Sequence, residues 1–169
     1  DDKSKNLAVS LIVDWIKRNN SWRKNTWRPE ITGSRIVNWV KNFEFLTKGD
    51  DQYFENIFYS ALVKQSVHLH RTFLRTEVGA GRLAASKGLV FCGMALPDSD
   101  NYLISGLDCF EGQIKKLIFP DGGHVSRNPK IQLDTLLDVV EIKLALNSAN
   151  IKAPSWLETV IDRMAPMVK

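Results

Sequence analysis

Apolar residues recur at intervals of three and four along almost the whole chain, and the two-residue alternation of a half-buried strand is almost absent. Ala8, Leu11, Ile12 and Trp15 mark a first segment, Ile36, Trp39, Val40 and Phe43 a second, and Phe54, Phe58, Ala61, Leu62, Leu69 and Phe73 a long third. Leu83, Leu89, Val90 and Cys92 continue the pattern, as do Leu103, Leu107, Phe110, Ile114 and Leu117, and then Leu133, Leu136, Leu137, Val140 and Leu144. This spacing gathers apolar side chains on one face of a helix, and each such face must be buried against another element. The chain is therefore read as all-α, with about seven helices packed as successive antiparallel hairpins. Hairpins of this kind can curve into a toroid or a solenoid, and no fixed period links them to decide between the two.

Start signals agree with the helices. Thr32 and Ser34 stand ahead of the second, Asp50 or Asp51 ahead of the third and Asp98 ahead of the fifth, while Pro154-Ser155 opens a last short helix that ends before Pro166. The interruptions from Asn19 to Thr32 and from Phe119 to Lys130 are loop-sized, so one domain spanning residues 1–169 is expected. Its composition, 44% hydrophobic and 25% charged, is that of a chain with a packed core. No apolar run approaches the roughly 20 residues of a membrane span. Asp1 is not an initiator methionine, and the expectation is that the natural N-terminus, with any signal, has been removed.

A net charge of +4 favours anionic partners. Lysine and arginine are spread along the chain without the basic and aromatic interleaving of a nucleic-acid groove, so nucleic acid is the weaker reading. Cys92 and Cys109 lie in apolar helical patterns and read as buried thiols, with a single disulfide left open. His68 and His70, two apart on a helix, point in different directions and read as helix-surface residues rather than metal ligands. No metal and no cofactor is expected.

The richest chemistry lies in Asp121-Gly122-Gly123-His124-Val125-Ser126-Arg127-Asn128-Pro129. Paired glycines let the backbone turn at positive φ, and Pro129 keeps Asn128 out of the helical region before the next helix begins. His124, Arg127 and Asn128 can then face one cleft. This loop resembles the DGGH-x-(E/S)-R-(S/N)-P signature of the heparinase II/III-like polysaccharide lyases. Trp27-Arg28-Pro29-Glu30-Ile31-Thr32-Gly33-Ser34-Arg35, followed by Trp39, is similar to that family's W-x-P-x-x-T-G-x-R-x-x-x-W segment. Leu62, Gln65 and Leu69 match the long helix after it, and Ile161 to Met167 resembles the exit from the helical domain in a proteobacterial branch.

The resemblance implies an incomplete (α/α) toroid, the N-terminal part of a longer protein whose C-terminal β-sandwich domain is absent here. It also implies a periplasmic or cell-envelope location and an acidic polysaccharide as partner. Members cleave uronic-acid-containing polysaccharides by β-elimination, which requires a group that neutralises the uronate, a base that takes the C5 proton and an acid that protonates the leaving oxygen. The family's Gly-Asn-His neutraliser motif reads Gly81-Arg82 where asparagine and histidine are expected. Its Pro-x-Tyr-His motif reads Pro129-Lys130-Ile131-Gln132, so the catalytic tyrosine is Ile131. Both departures remove chemical groups, which opens the alternative of a non-catalytic toroid that binds a glycan or a protein.

The candidates that remain are His124 as base and Arg82, Arg127, Asn128, Trp22 and Trp27 as substrate-binding groups. Arg82 and Arg127 could each take a carboxylate through a charge-assisted contact. For His124 the competing reading is a loop histidine hydrogen-bonded to the backbone, and for Arg127 and Asn128 it is the tying of the loop to a helix end. Trp39 reads as core, whereas Trp22 and Trp27, in a polar segment with Arg23 and Arg28, suit stacking on a sugar ring. Arg35 reads equally as the partner of a buried carboxylate, and Lys64, Arg71 and Arg75 as solvated helix residues.

Overall fold

The computed structural model describes residues 2–49 and 51–168. Eight α-helices are found among them: α1 Asp2–Arg18, α2 Pro29–Lys41, α3 Phe43–Thr47, α4 Gln52–Thr72, α5 Ala80–Ala95, α6 Asp100–Leu117, α7 Pro129–Ser148 and α8 Ser155–Met164. The helix beyond the expected seven is the five-residue α3, which interrupts the apolar pattern at Asn42. Single-turn 3-10 helices follow α4 at Phe73–Arg75 and α8 at Ala165–Val168.

Helix starts differ in instructive ways. Asp51 caps α4 by accepting the Phe54 N–H at 3.0 Å, as expected, while Asp50 lies outside the described residues. Thr32 and Ser34 fall inside α2 instead of ahead of it, because Pro29, whose fixed φ suits a first helical position, opens the helix. Asp98 takes φ 53° in the turn, and Ser99 stands at the start of α6.

Direction follows from residue pairs. Trp27 meets His68, Arg35 meets Gln65 and Trp39 packs on Phe58 with ring centroids 5.1 Å apart, so α2 and α4 are antiparallel. Glu30 lies against Gly81 and Gly33 against Ala84, Ala85 and Gly88, so α2 and α5 are parallel. Gly93 meets Leu103 while Gly79 meets Gln113, which makes α6 antiparallel to α5. Because α6 ends beside the start of α5, α7 sets out from that same end and meets α5 where Lys87 pairs with Asp138 and Glu141. The array is thus a row of parallel helices, α2, α5 and α7, with antiparallel returns between them, the arrangement of a helical toroid.

Helix α5 serves both halves of the core. Leu89, Phe91 and Cys92 pack with Ile36, Trp39, Phe58 and Leu69, while Leu83 and Val90 pack with Phe110, Ile114, Val139, Ile142 and Leu157. Its approach to α2 is backbone on backbone: a methyl group on Gly88 would lie 2.4 Å from the Gly33 Cα, and one on Gly33 would lie 2.3 Å from the Ala84 carbonyl oxygen. Cys92 is buried, Cys109 is half-buried and both are free thiols, which excludes the disulfide left open above. Burial pushes the Cys92 thiol up to about 12.

Two polar expectations change. His68 and His70 are half-buried rather than surface residues, His68 with Nε2 2.8 Å from the Trp27 carbonyl and His70 stacked on Phe73 with Tyr102 tilted against it. Among the described residues Arg35 pairs with no carboxylate. Its Nε donates to the Gln65 side-chain oxygen at 2.6 Å, one Nη to the Thr26 carbonyl at 2.9 Å, and its plane lies 4.0 Å over the Trp15 ring. Burial lowers its pKa to about 10, so the guanidinium stays charged at neutral pH on neutral acceptors and a π face.

The glycine contact predicts opposite signs for two alanine substitutions. Gly88→Ala should destabilise by about 3 kcal/mol through forced separation of α2 and α5. Gly112→Ala, at a helical position with open space around it, should stabilise by about 0.5–1 kcal/mol. Urea unfolding of the two variants reads both; a Gly88→Ala protein as stable as wild type would contradict the close approach.

Candidate functional site

Three loops precede the three parallel helices: residues 19–28 before α2, 76–79 before α5 and 118–128 before α7. All three therefore lie at one end of the array. Helix N-termini carry unpaired N–H groups and a partial positive charge, so this end has three such charges side by side. Every site candidate named from the sequence sits in or beside these loops, namely Trp22 and Trp27 in the first, Arg82 just past the second, and His124, Arg127 and Asn128 in the third. His124, Arg127 and Asn128 line one cleft, whereas Trp22, Trp27 and Arg82 lie outside it.

The third loop is built on its glycines and one glutamine. Gly122 has φ 91°, and a methyl group there would lie 1.9 Å from the Arg163 carbonyl oxygen, so only glycine lets the loop dock on the end of α8. Gly123 has no such demand; its N–H goes to the Asp121 carboxylate at 2.9 Å. Gln132, on the first turn of α7, accepts the His124 N–H at 2.6 Å and donates to the Gly122 carbonyl at 2.9 Å. Backbone bonds from Phe119 to Gly123 and from Val125 to Leu117, about an isolated antiparallel bridge between Ile118 and His124, close the turn.

His124 is buried, and its orientation decides its chemistry. Nδ1 accepts the Ser126 backbone N–H at 3.0 Å and lies 2.8 Å from the Ser126 hydroxyl. A ring nitrogen that accepts an amide N–H carries no proton, so the neutral ring holds its proton on Nε2 and offers a donor there. Burial lowers the pKa from its usual value and keeps this neutral form. The basic nitrogen of the neutral ring is thus engaged by Ser126 in this structure, and acting as a base would require its release. Asn128 caps α7, its side-chain oxygen accepting from Lys130 and Ile131 at 2.9 and 3.4 Å. Of the two readings held open for it, the helix-end tie is the one its bonds fulfil. Arg127, exposed at φ 51°, lines a cleft of about 350 Å³ with Phe119, Asp121, His124, Gln132 and Met167.

A second cleft of about 630 Å³ opens where the first turns of α2 and α5 meet the 3-10 turn, lined by Arg28, Glu30, Arg75, Thr76, Glu77 and Gly81 among others. Arg28 pairs with Glu30. Arg82 lines neither cleft; its guanidinium donates to the Leu74 carbonyl at 2.8 Å and to the Thr76 carbonyl, clasping the turn before α5. Trp27 is 4% exposed, its indole N–H donating to the Asn19 carbonyl at 3.2 Å and its ring edge-on to His68, so it is core and closed to a sugar. Trp22 is 63% exposed and free to stack. Sequence reasoning took Arg75 for a solvated helix residue and missed it as a cleft residue, since nothing local distinguishes it, whereas Arg28 was noted beside Trp22 and Trp27. It also missed Gln132 as the loop's tie, although the residue stands in the motif position just after Ile131.

The chain matches the description "Heparinase II/III N-terminus" over residues 1–167. It belongs to that family. A curated relative, the FtsZ-localized protein C of Caulobacter vibrioides, is 25% identical over 159 residues, covering 94% of this chain and 27% of the relative. This heparinase II/III N-terminal chain thus spans about a quarter of that relative's length. Two solved structures share the fold. A mutant of the heparan sulfate lyase HepC from Pedobacter heparinus aligns with TM-score 0.79 at 19% identity, over 99% of this chain and 28% of its own. A heparinase III with methylated lysines aligns with TM-score 0.78 at 16% identity, over 99% and 30%. Among the described residues no group of histidine, cysteine and carboxylate side chains could hold a metal, and no helix is long and apolar enough to cross a membrane.

Two consequences are measurable. Asn128→Ala should cost about 1 kcal/mol as a lost cap, and Asn128→Ser should retain most of it, read by chemical denaturation. Because the folded pKa of His124 lies below the usual value of about 6.5, its contribution to stability is complete above that pH and is lost as pH falls below it. Between pH 7.5 and pH 5 the melting temperature of wild type should therefore fall further than that of His124→Gln.

Proposed function

We propose that this domain binds a uronic-acid-containing polysaccharide at the end of the array where α2, α5 and α7 begin, and that its own residues do not complete a β-elimination site. The observation that carries the reading is the convergence of three helix N-termini with Arg28, Arg75 and Arg127 in two clefts of that one end. Carboxylates are stabilised by such termini and by guanidinium donors. Trp22 supplies an exposed aromatic face in the loop before α2, and His124 supplies a donor at Nε2 for a sugar oxygen. Elimination needs a base and an acid. The histidine is set as a donor, Ile131 stands at the tyrosine position and Gly81 at the asparagine, so the lyase chemistry of this family would require groups from elsewhere in the longer protein, such as the β-sandwich domain that the resemblance implies.

A second reading, a helical protein-docking domain, is favoured by one observation: Leu133, Leu137 and Leu144 form an exposed apolar stripe on α7 opposite its buried face. The relative's name, which places it with FtsZ, fits a protein partner.

The test uses the full-length protein incubated with heparan, hyaluronan, alginate and bacterial acidic exopolysaccharides, following binding together with absorbance of unsaturated uronate. Binding without an absorbance rise is expected, with Arg127→Ala weakening it about tenfold at an unchanged melting temperature. Absence of binding to every acidic glycan would overturn the reading in favour of the protein partner. An absorbance rise abolished by His124→Ala would restore the histidine as base.

A further inference from the structure

The parallel array has a second end, where α2 and α5 finish. An apolar cleft of about 220 Å³ opens there against the last turns of both helices, since Val40 is the last residue but one of α2 and Ala95 the last of α5. Phe58 and Leu62 of α4 lie buried at its base, and Phe43 of α3 and Tyr59 of α4 form its walls. The two wall rings stand nearly perpendicular, at 89° with centroids 5.9 Å apart, and Phe43 also lies 5.6 Å from Phe58. Tyr59 is 41% exposed and Val63, one turn farther along α4, is 46% exposed, so apolar surface continues beyond the mouth.

One charge borders this apolar surface. Among the described residues that line the cleft Glu44 is the only charged one, and its exposed carboxylate forms no ion pair. Lys41, at the end of α2, is committed to Glu141 instead. The other contributions have the same sign as the carboxylate. Helix C-termini carry a partial negative charge and outward carbonyls, and an aromatic ring attracts a cation over its face. Two helix ends, a set of rings and a carboxylate thus favour a cation, and the cleft has none of its own.

Three properties narrow the choice of cation. At about 220 Å³ the cleft is smaller than the roughly 300–1,000 Å³ that hold whole small ligands, so it suits one protruding side chain. An aromatic lining disfavours the strongly hydrated ammonium of lysine, whereas a guanidinium is weakly hydrated and stacks on rings. Carboxylate and carbonyl oxygens call for N–H donors, which a guanidinium presents as a fork and a quaternary ammonium lacks. We infer that this cleft docks an arginine side chain of a partner protein, its guanidinium on Glu44 and on the rings of Phe43 and Tyr59, and its apolar neighbours on Tyr59 and Val63. The site lies at the opposite end of the helices from the rim clefts and stands whatever the rim binds.

The test measures, by surface plasmon resonance on the full-length protein, three capped peptides of the form serine-leucine-X-leucine-serine, with arginine, lysine or norleucine at X. Methylguanidinium and tetramethylammonium serve as competitors. The arginine peptide should bind about fivefold more tightly than the lysine peptide, and methylguanidinium should be the stronger competitor. Glu44→Gln should weaken the arginine peptide about tenfold and Tyr59→Leu about fivefold, both at exposed positions and with the wild-type melting temperature kept. Equal binding of the three peptides, binding of none, or an arginine peptide indifferent to Glu44→Gln would overturn the inference. Tetramethylammonium as the stronger competitor would overturn the assignment to a guanidinium.

Discussion

The close approach of α2 and α5 at Gly33 and Gly88 is the contact on which the rest of this structure depends. Two helices that touch through backbone bring their first turns to the same level, so that Glu30 stands beside Gly81. The antiparallel return through α6 then delivers α7 to that level as well. Glycine at both positions is what lets the two backbones come this close. The charge pattern useful for binding an anion is thus a product of packing, with arginines added around it.

Much of this was legible in the sequence. Helix periodicity located every long helix, although the stripe read on α7 at Leu133, Leu137 and Leu144 is its exposed face and α1 has no fully buried residue among those described. The DGGH loop announced a positive-φ turn, and Gly122 fulfils it against the carbonyl of Arg163. The brief α3 escaped notice because five residues are too few to show a period. Trp27 was misread since a tryptophan among arginines and asparagines gives no sign that the chain folds its ring inward onto His68. Arg82 was misread for a related reason: a guanidinium at a motif position looks available until the carbonyls of Leu74 and Thr76 are seen to occupy it.

The framework of the family's motifs is kept where it builds the fold, and the chemical positions within those motifs differ. Gly33, Gly122, Pro29, Pro129 and Asn128 turn, cap or close-pack, and each has a bond or a clash that explains it. Ile131 is partly exposed where a tyrosine would be needed, and Gln132 serves the loop's own hydrogen bonds. Ser126 completes the change by engaging Nδ1 of His124. The proposed role in glycan binding accounts for these facts together, because binding needs fixed donors and acceptors, whereas elimination needs a free base and an acid.

The most direct test of this account is residue-resolved NMR of the protein during titration with an acidic oligosaccharide. The account predicts saturable shifts concentrated at Trp22, Arg28–Glu30, Arg75–Gly81 and Asp121–Arg127, with the His124 ring keeping its proton on Nε2 throughout. Shifts scattered over surface lysines, or confined to the Leu133–Leu144 face of α7, would contradict it.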